Sequence, residues 1–112
     1  MIHRMKLRNI PFNLIKNGKK KYELRLYDEK RKLVNVGDFI IFTNIDTLEE
    51  IEVFVTSLYL FNNFKDLFSS INKKDLGYSD NDEYCYKSMD EYYSIDEQKK
   101  YGVVAIEIQQ KK

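Results

Sequence analysis

The stretch Pro11-Phe12-Asn13-Leu14-Ile15-Lys16-Asn17-Gly18-Lys19-Lys20-Lys21-Tyr22-Glu23-Leu24-Arg25-Leu26 changes its periodicity at one glycine. Before Gly18, Phe12, Leu14 and Ile15 form the apolar side of a short helix. Pro11 suits the first turn of that helix, where an N–H has no intrahelical partner. Gly18 suits the position just past the helix end, where the backbone turns left-handed. After Gly18, Lys21 to Leu26 alternates strictly. Tyr22, Leu24 and Leu26 face one way, and Lys21, Glu23 and Arg25 the other. This predicts a strand with an apolar core face and a charged face.

The flanking sequence extends the pattern in both directions. Upstream, His3, Met5 and Leu7 alternate with Arg4, Lys6 and Arg8, a first strand on whose apolar side His3 packs. Downstream, Asp28 to Leu33 suits one helical turn, and Val36-Gly37-Asp38 a turn into the apolar strand Phe39-Ile40-Ile41-Phe42. A turn over Asn44 to Thr47 leads to a long alternating strand with Ile51, Val53 and Val55 inward. Phe64, Leu67, Phe68 and Ile71 have helical spacing over 62–71. Residues 72–93 are irregular and suit short helices and turns. Ser94-Ile95-Asp96-Glu97 has the form of a capping box, opening a helix that ends near Tyr101-Gly102. Val103 to Ile108 closes the chain as a strand, with Val104, Ile106 and Ile108 on one face. The order is strand, helix, three strands, helices, strand. Repeated βαβ units are absent, which disfavours a doubly wound sheet. The expected fold is α+β: a small, mostly antiparallel β-barrel with short helices over its ends.

The 112 residues suit a single domain, 1–112, with one core. Charged residues are 33% and hydrophobic residues 43%, a globular composition. No apolar run approaches the roughly 20 residues of a membrane helix, and Met1 to Lys6 lacks the apolar stretch of a signal peptide. One cysteine, Cys85, and one histidine, His3, offer neither an internal disulfide nor a zinc cluster. The composition therefore argues against a disulfide scaffold, a metal centre, a membrane protein and a Ser-His-Asp hydrolase. It suits a cytoplasmic domain without a cofactor.

Charge is divided along the chain. Residues 1–32 hold eleven Lys/Arg against three Asp/Glu, and residues 33–112 hold eight against fifteen. The basic third can gather into a patch that attracts phosphates, or can be spread over solvated faces. Residues 75–97 carry eight acidic residues against Lys87, and this segment is expected to face away from bound phosphates. Tyr78, Tyr84, Tyr86, Tyr92 and Tyr93 lie in it, suited to packing a segment poor in aliphatics or to stacking on bases.

The densest chemical signal is Gly18 to Arg25. Lys20 at the turn, with Glu23 and Arg25 on the polar face, brings an ammonium, a carboxylate and a guanidinium to one mouth. Lys20 can hold a phosphate or, if desolvated, act as a base. Glu23 can accept a hydrogen bond from a base edge or carry a proton. Arg25 can fork onto a phosphate or fix Glu23. Lys19 and Lys21 flank the group as further phosphate contacts. The same residues also suit a solvent-facing strand whose ion pairs contribute a few tenths of a kcal/mol, roughly.

Gly18-x-Lys20-x-x-Glu23-x-Arg25 resembles the G-x-K-x-x-E-x-R signature of ASCH domains, relatives of the PUA RNA-binding domain. The preceding helix, the Val36-Gly37-Asp38 turn and the closing strand are similar to that architecture too. The tract Tyr92-Tyr93-Ser94 with Asp96-Glu97 and Tyr101-Gly102 looks like a small bacterial subgroup. The resemblance implies a PUA-like barrel, with the motif lining a cleft that binds RNA, a nucleotide or a nucleoside. One branch of the family hydrolyses acetylcytidine with a lysine, a threonine and a glutamate. Lys20 matches that lysine, but Glu23 stands where that branch has threonine. Glu49, Glu50 and Glu52 are possible positions for the later glutamate. The alternative function is thus a small amidohydrolase or ribonuclease using the same cleft, with Lys20 and Glu23 catalytic.

Overall fold

The computed structural model describes residues 1–83 and 85–110. Five strands form one sheet: β1 (Ile2–Leu7), β2 (Tyr22–Leu26), β3 (Phe39–Asn44), β4 (Glu50–Phe61) and β5 (Val103–Gln110), in the spatial order β1-β3-β4-β5-β2. Only β1 and β3 run parallel, from Ile2 opposite Phe39 to Leu7 opposite Asn44, and the other three pairings are antiparallel. The helices are α1 (Asn9–Lys16), α2 (Phe64–Ser70), α3 (Lys87–Asp90) and α4 (Ile95–Tyr101). The result is a curled, mostly antiparallel α+β sheet with short helices packed on it.

The sheet separates two apolar clusters. On one face α1 inserts Phe12 and Ile15 among Met5, Leu7, Ile40, Phe42, Val53, Val55, Val104, Ile106 and Ile108. On the other, α2 and the segment before α4 cover Leu24, Leu26, Val103 and Ala105 with Phe64, Leu67, Phe68 and Leu76. The sequence pattern predicts one apolar face for β5. Val103, Val104, Ala105 and Ile106 are all buried instead, because β5 lies between β4 and β2 with a layer on each side. Tyr78, Tyr86 and Tyr93 pack against the second cluster. Tyr93 stacks on Phe64 at 5.5 Å between ring centroids. Tyr92 is exposed, with the Arg8 guanidinium 6.0 Å from its ring. Tyr84 lies outside the described residues.

Local signals set the boundaries. Asn63 accepts from the Asp66 N–H to cap α2, and Ser94 and Glu97 make both bonds of a capping box at α4. Asn44, fully buried, accepts from the N–H groups of Asp46 and Thr47, and donates to the Asn9 side chain at 2.9 Å. That one amide shapes the β3–β4 turn and fastens it to the start of α1. At the other end of α1, the Gly18 N–H donates to the Ile15 carbonyl and the Lys19 N–H to the Leu14 carbonyl. This is the Schellman pattern, with Gly18 at φ +77°. It reverses the chain into β2.

Gly18→Ala should cost about 1–2 kcal/mol, the penalty of holding an L side chain left-handed. Nothing lies within 4 Å of the added Cβ, so the loss is one of backbone conformation. Urea denaturation checks it, and a neutral substitution would show that the loop relaxes to another turn.

Candidate functional site

The turn after Gly18 separates three consecutive lysines. Lys19 is exposed. Lys20 bridges the backbone of Leu76, and its side chain folds inward, 14% exposed, to donate from Nζ to Glu23 Oε1 at 3.1 Å. Lys21 points outward and pairs with Asp75 at 3.6 Å, while its N–H donates to the Asp75 carbonyl. The start of the acidic segment therefore lies against the motif rather than away from it.

Glu23 sits opposite Ile106 of β5 and is 3% exposed. The charged face predicted for β2 is turned toward the first apolar cluster, not toward solvent. Alternation assigns residues to opposite faces, but here α1 and β1 cover the face that carries the charges. Glu23 Oε1 accepts from Lys20 Nζ and the Leu24 N–H, and Oε2 accepts from Arg25 Nη2 at 3.0 Å. Burial by itself would push this carboxyl up. The charges of Lys20 and Arg25, with their hydrogen bonds, outweigh burial and hold Glu23 below the usual glutamate range. Arg25 Nη2 also donates to the Lys6 carbonyl at 3.1 Å. Since β1 and β2 are the two edges of the sheet, Arg25 ties its open sides together.

Lys20 is a wall shared by two cavities. One, about 420 Å³, is lined by Ile15, Lys21, Val53, Thr56, Glu107 and Gln110 among others. The second, about 570 Å³, has Ile10, Pro11, Leu14 and Tyr78 on its apolar side and Asp82 and Glu83 at its rim. Gly77 is required in its wall, since a Cβ there would come within 2.9 Å of Leu14 Cδ1 at a φ of +90°.

Sequence reasoning passed over Thr56 and Glu107. Thr56 Oγ1 donates to Glu107 Oε1 at 2.6 Å, and the Tyr22 hydroxyl donates to Oε2 at 3.0 Å. Burial, followed by this bond to a carboxylate, pushes the Tyr22 hydroxyl up to about 12. The available signal was a lone carboxylate inside the apolar run Val103–Ile108. Of the glutamates considered from sequence, Glu49 pairs with Lys16 and Glu50 with Arg4. Neither these two nor Glu52 lines either cavity beside Lys20. The ring of His3 packs at 2.8 Å from Asp38, and this contact, with the Asn35 N–H, holds the Asp38 carboxyl down to about 2. Among the described residues, no cluster of three or more His, Cys, Asp or Glu could hold a metal ion, and no helix is long and apolar enough to cross a membrane.

The basic N-terminal third is largely neutralised in place. Arg4, Lys16, Lys20, Lys21, Arg25, Arg31 and Lys32 each have a carboxylate partner. Lys6, Arg8, Lys19 and Lys30 have no ion-pair partner among the described residues and are exposed. Of these four, Lys19 adjoins the motif in sequence.

A family model described as the ASCH domain matches residues 5–112. Among solved structures, the hypothetical protein PH0355 superposes with a TM-score of 0.85 at 34% identity, over 99% of this chain and 100% of its own. Protein PF0455 from Pyrococcus furiosus follows at 0.72 and 33%, over 98% and 97%. An ASCH structure from Zymomonas mobilis shares the fold at 0.66 with 13% identity, over 96% of this chain and 66% of that one. No curated protein matches the sequence.

Glu23→Gln should destabilise the protein by about 3 kcal/mol at neutral pH, because it leaves two largely enclosed cations without their counter-charge. A carboxyl whose folded pKa is depressed contributes fully above its unfolded value and loses that contribution as pH falls through the folded one. The gap between wild type and Glu23→Gln should therefore be widest above pH 5 and shrink as pH drops below about 4.5. Denaturation midpoints from pH 7 to pH 3 measure it. Asp38, held at about 2, keeps its charge over that range and is common to both proteins.

Proposed function

The chain belongs to the ASCH domain family, and on that premise we propose that it binds RNA or a nucleotide at the two cavities that share Lys20. The observation that carries this reading is the buried Glu23 carboxylate clamped by Lys20 and Arg25. A buried ion pair contributes little net stability compared with an apolar replacement. Its worth here is positional: it fixes an ammonium and a guanidinium at the barrel mouth with donors to spare. Lys20 has three N–H groups and directs one to Glu23; Arg25 has five, and its two bonds both leave from Nη2. The unspent donors suit phosphate oxygens or base carbonyls.

The two cavities divide the ligand. The Ile10-Pro11-Leu14-Tyr78 side offers apolar surface and a ring for a base, and Asp82 and Glu83 at its rim can accept from exocyclic amino groups while repelling phosphate. Phosphates then fall on the side of Lys19, Lys20 and Lys21. Lys20, in the wall of both cavities, binds the ligand directly, Glu23 and Arg25 set its position from outside that lining, and Lys19 and Lys21 add phosphate contacts.

A second reading is favoured by one contact. Thr56, Glu107 and Lys20 line one cavity, and the Thr56 hydroxyl is already hydrogen-bonded to a carboxylate. A hydroxyl beside a base is the arrangement of an activated nucleophile, which suits a hydrolase acting on a modified nucleoside. The Glu107 carboxylate is shared, however, because its other oxygen accepts from the Tyr22 hydroxyl.

Binding of short single-stranded RNA should weaken with salt, since each neutralised phosphate releases counterions. Lys20→Ala should lower affinity at least about tenfold, the scale of a lost charge-assisted bond. Reversing Lys19 and Lys21 to Glu should flatten the salt slope. Fluorescence anisotropy at several salt concentrations reads both, and an unchanged slope places the contact surface elsewhere.

Purified protein incubated with acetylcytidine should give no cytidine by chromatography. Turnover that vanishes in both Thr56→Val and Lys20→Ala would establish the hydrolase instead.

A further inference from the structure

A larger cavity, about 760 Å³, lies beyond the opposite end of β2, where β4 runs into α2 and α4 runs into β5. None of its lining residues belongs to the Gly18–Arg25 motif. Its walls are unusually aromatic for a surface hollow, with Tyr27, Phe61, Tyr86 and Tyr101, and Leu60 and Ile95 stand exposed beside them. Its volume falls within the range of small-molecule sites, roughly 300–1,000 Å³.

The charges around it differ from those around the motif. Of the cations from Gly18 to Arg25, Lys20, Lys21 and Arg25 have carboxylate partners, and Lys19 has none among the described residues. Lys65, Lys99 and Lys100 line this cavity, and none has a carboxylate partner among the described residues. The one anion in the lining, Asp90, accepts from the Gln98 side chain at 2.8 Å. Gln98 is itself buried, its oxygen capping the Phe64 N–H and its nitrogen also donating to the Tyr93 carbonyl. The floor is thus a satisfied, rigid amide network, and the rim carries three uncompensated ammonium groups within a C-terminal region that is acidic overall. Two tyrosine rings of the wall already sit under ammonium groups, Tyr101 with Lys100 at 5.1 Å and Tyr27 with Lys32 at 5.9 Å. Such rings offer electron-rich faces to a planar partner.

We propose that this cavity is a nucleoside-phosphate site, separate from the motif: a base stacks on the tyrosine rings while Lys65, Lys99 and Lys100 take the phosphate. Three ammonium groups fit a doubly charged phosphate better than a single carboxylate, and the ring walls select a flat, unsaturated body over an aliphatic one. The site does not rest on RNA or nucleotide binding at Lys20.

The test uses the whole chain and calorimetric titration with the four nucleoside 5′-monophosphates, the matching nucleosides and inorganic phosphate. At least one monophosphate should bind about tenfold or more tightly than either its nucleoside or phosphate alone, because both halves of the site contribute. The combined variant Lys65→Ala, Lys99→Ala, Lys100→Ala, which touches only exposed side chains, should weaken it at least about tenfold. Tyr101→Leu should weaken the nucleotide and leave inorganic phosphate unchanged. Amide shift mapping should place the perturbed signals at Tyr27, Lys99 and Gly102. The amide signals of Gly18, Lys20 and Glu23 should stay unshifted as this tighter site fills. The proposal is overturned if no monophosphate binds the folded protein, or if the triple-lysine variant binds as well as wild type. It is equally overturned if the shifts of the tighter site fall on Gly18 to Arg25, an outcome that would put the nucleotide at the motif. Should nucleotide shifts fall at Tyr27, Lys99 and Gly102 while RNA binding is absent throughout, the motif reading fails and this site stands.

Discussion

A glutamate with 3% exposure, facing the larger apolar cluster, must be compensated or it will not stay charged. Glu23 is compensated from both sides, and the means of compensation organise the molecule. Lys20 reaches it only because the Schellman turn at Gly18 sends the chain back on itself at the end of α1. Arg25 reaches it from two residues along the same strand, and with the same Nη2 group holds the Lys6 carbonyl on the far edge strand. One carboxylate thus couples the helix end, the strand that follows and the closure of the sheet. Had this position been apolar, Arg25 would have had less reason to lie across the mouth.

Using cations for this purpose has an electrostatic consequence. The first 32 residues are strongly basic by count, yet most of their charges are matched across the fold: Arg4 with Glu50, Lys16 with Glu49, Lys21 with Asp75. The field that a phosphate would meet near the motif is therefore local, set by the geometry of Lys20 and Arg25 and by Lys19, not by a broad basic face. Uncompensated ammonium groups also occur where the chain is acidic by count, around the aromatic hollow between β4 and α4. Net charge by segment and charge by surface are different quantities here, because pairing runs between segments distant in sequence.

The local signals of this chain were legible without coordinates. The helix–Gly18–strand transition, the Ser94–Glu97 box, the Asn44 turn, the apolar run of β3 and the alternation of β1 and β4 are each determined within about ten residues, by backbone sterics and short-range hydrogen bonds. So was the grouping of Lys20, Glu23 and Arg25, since an i, i+3 turn pair and an i, i+2 strand pair leave little freedom. What the sequence could not determine is which side of β2 would be covered. Alternation separates Leu24 from Glu23 but does not say where α1 docks, and α1 docks over the charged side. Nor could it bring Thr56 to Glu107, fifty-one residues away, or set Asp75 against Lys21, or leave Lys65, Lys99 and Lys100 round one hollow with no carboxylate partner among the described residues. Those facts depend on strand order, on the bulge between Val55 and Ser57 and on the packing of a second layer on β5. All of these are long-range choices made by burial, and local periodicity carries no record of them.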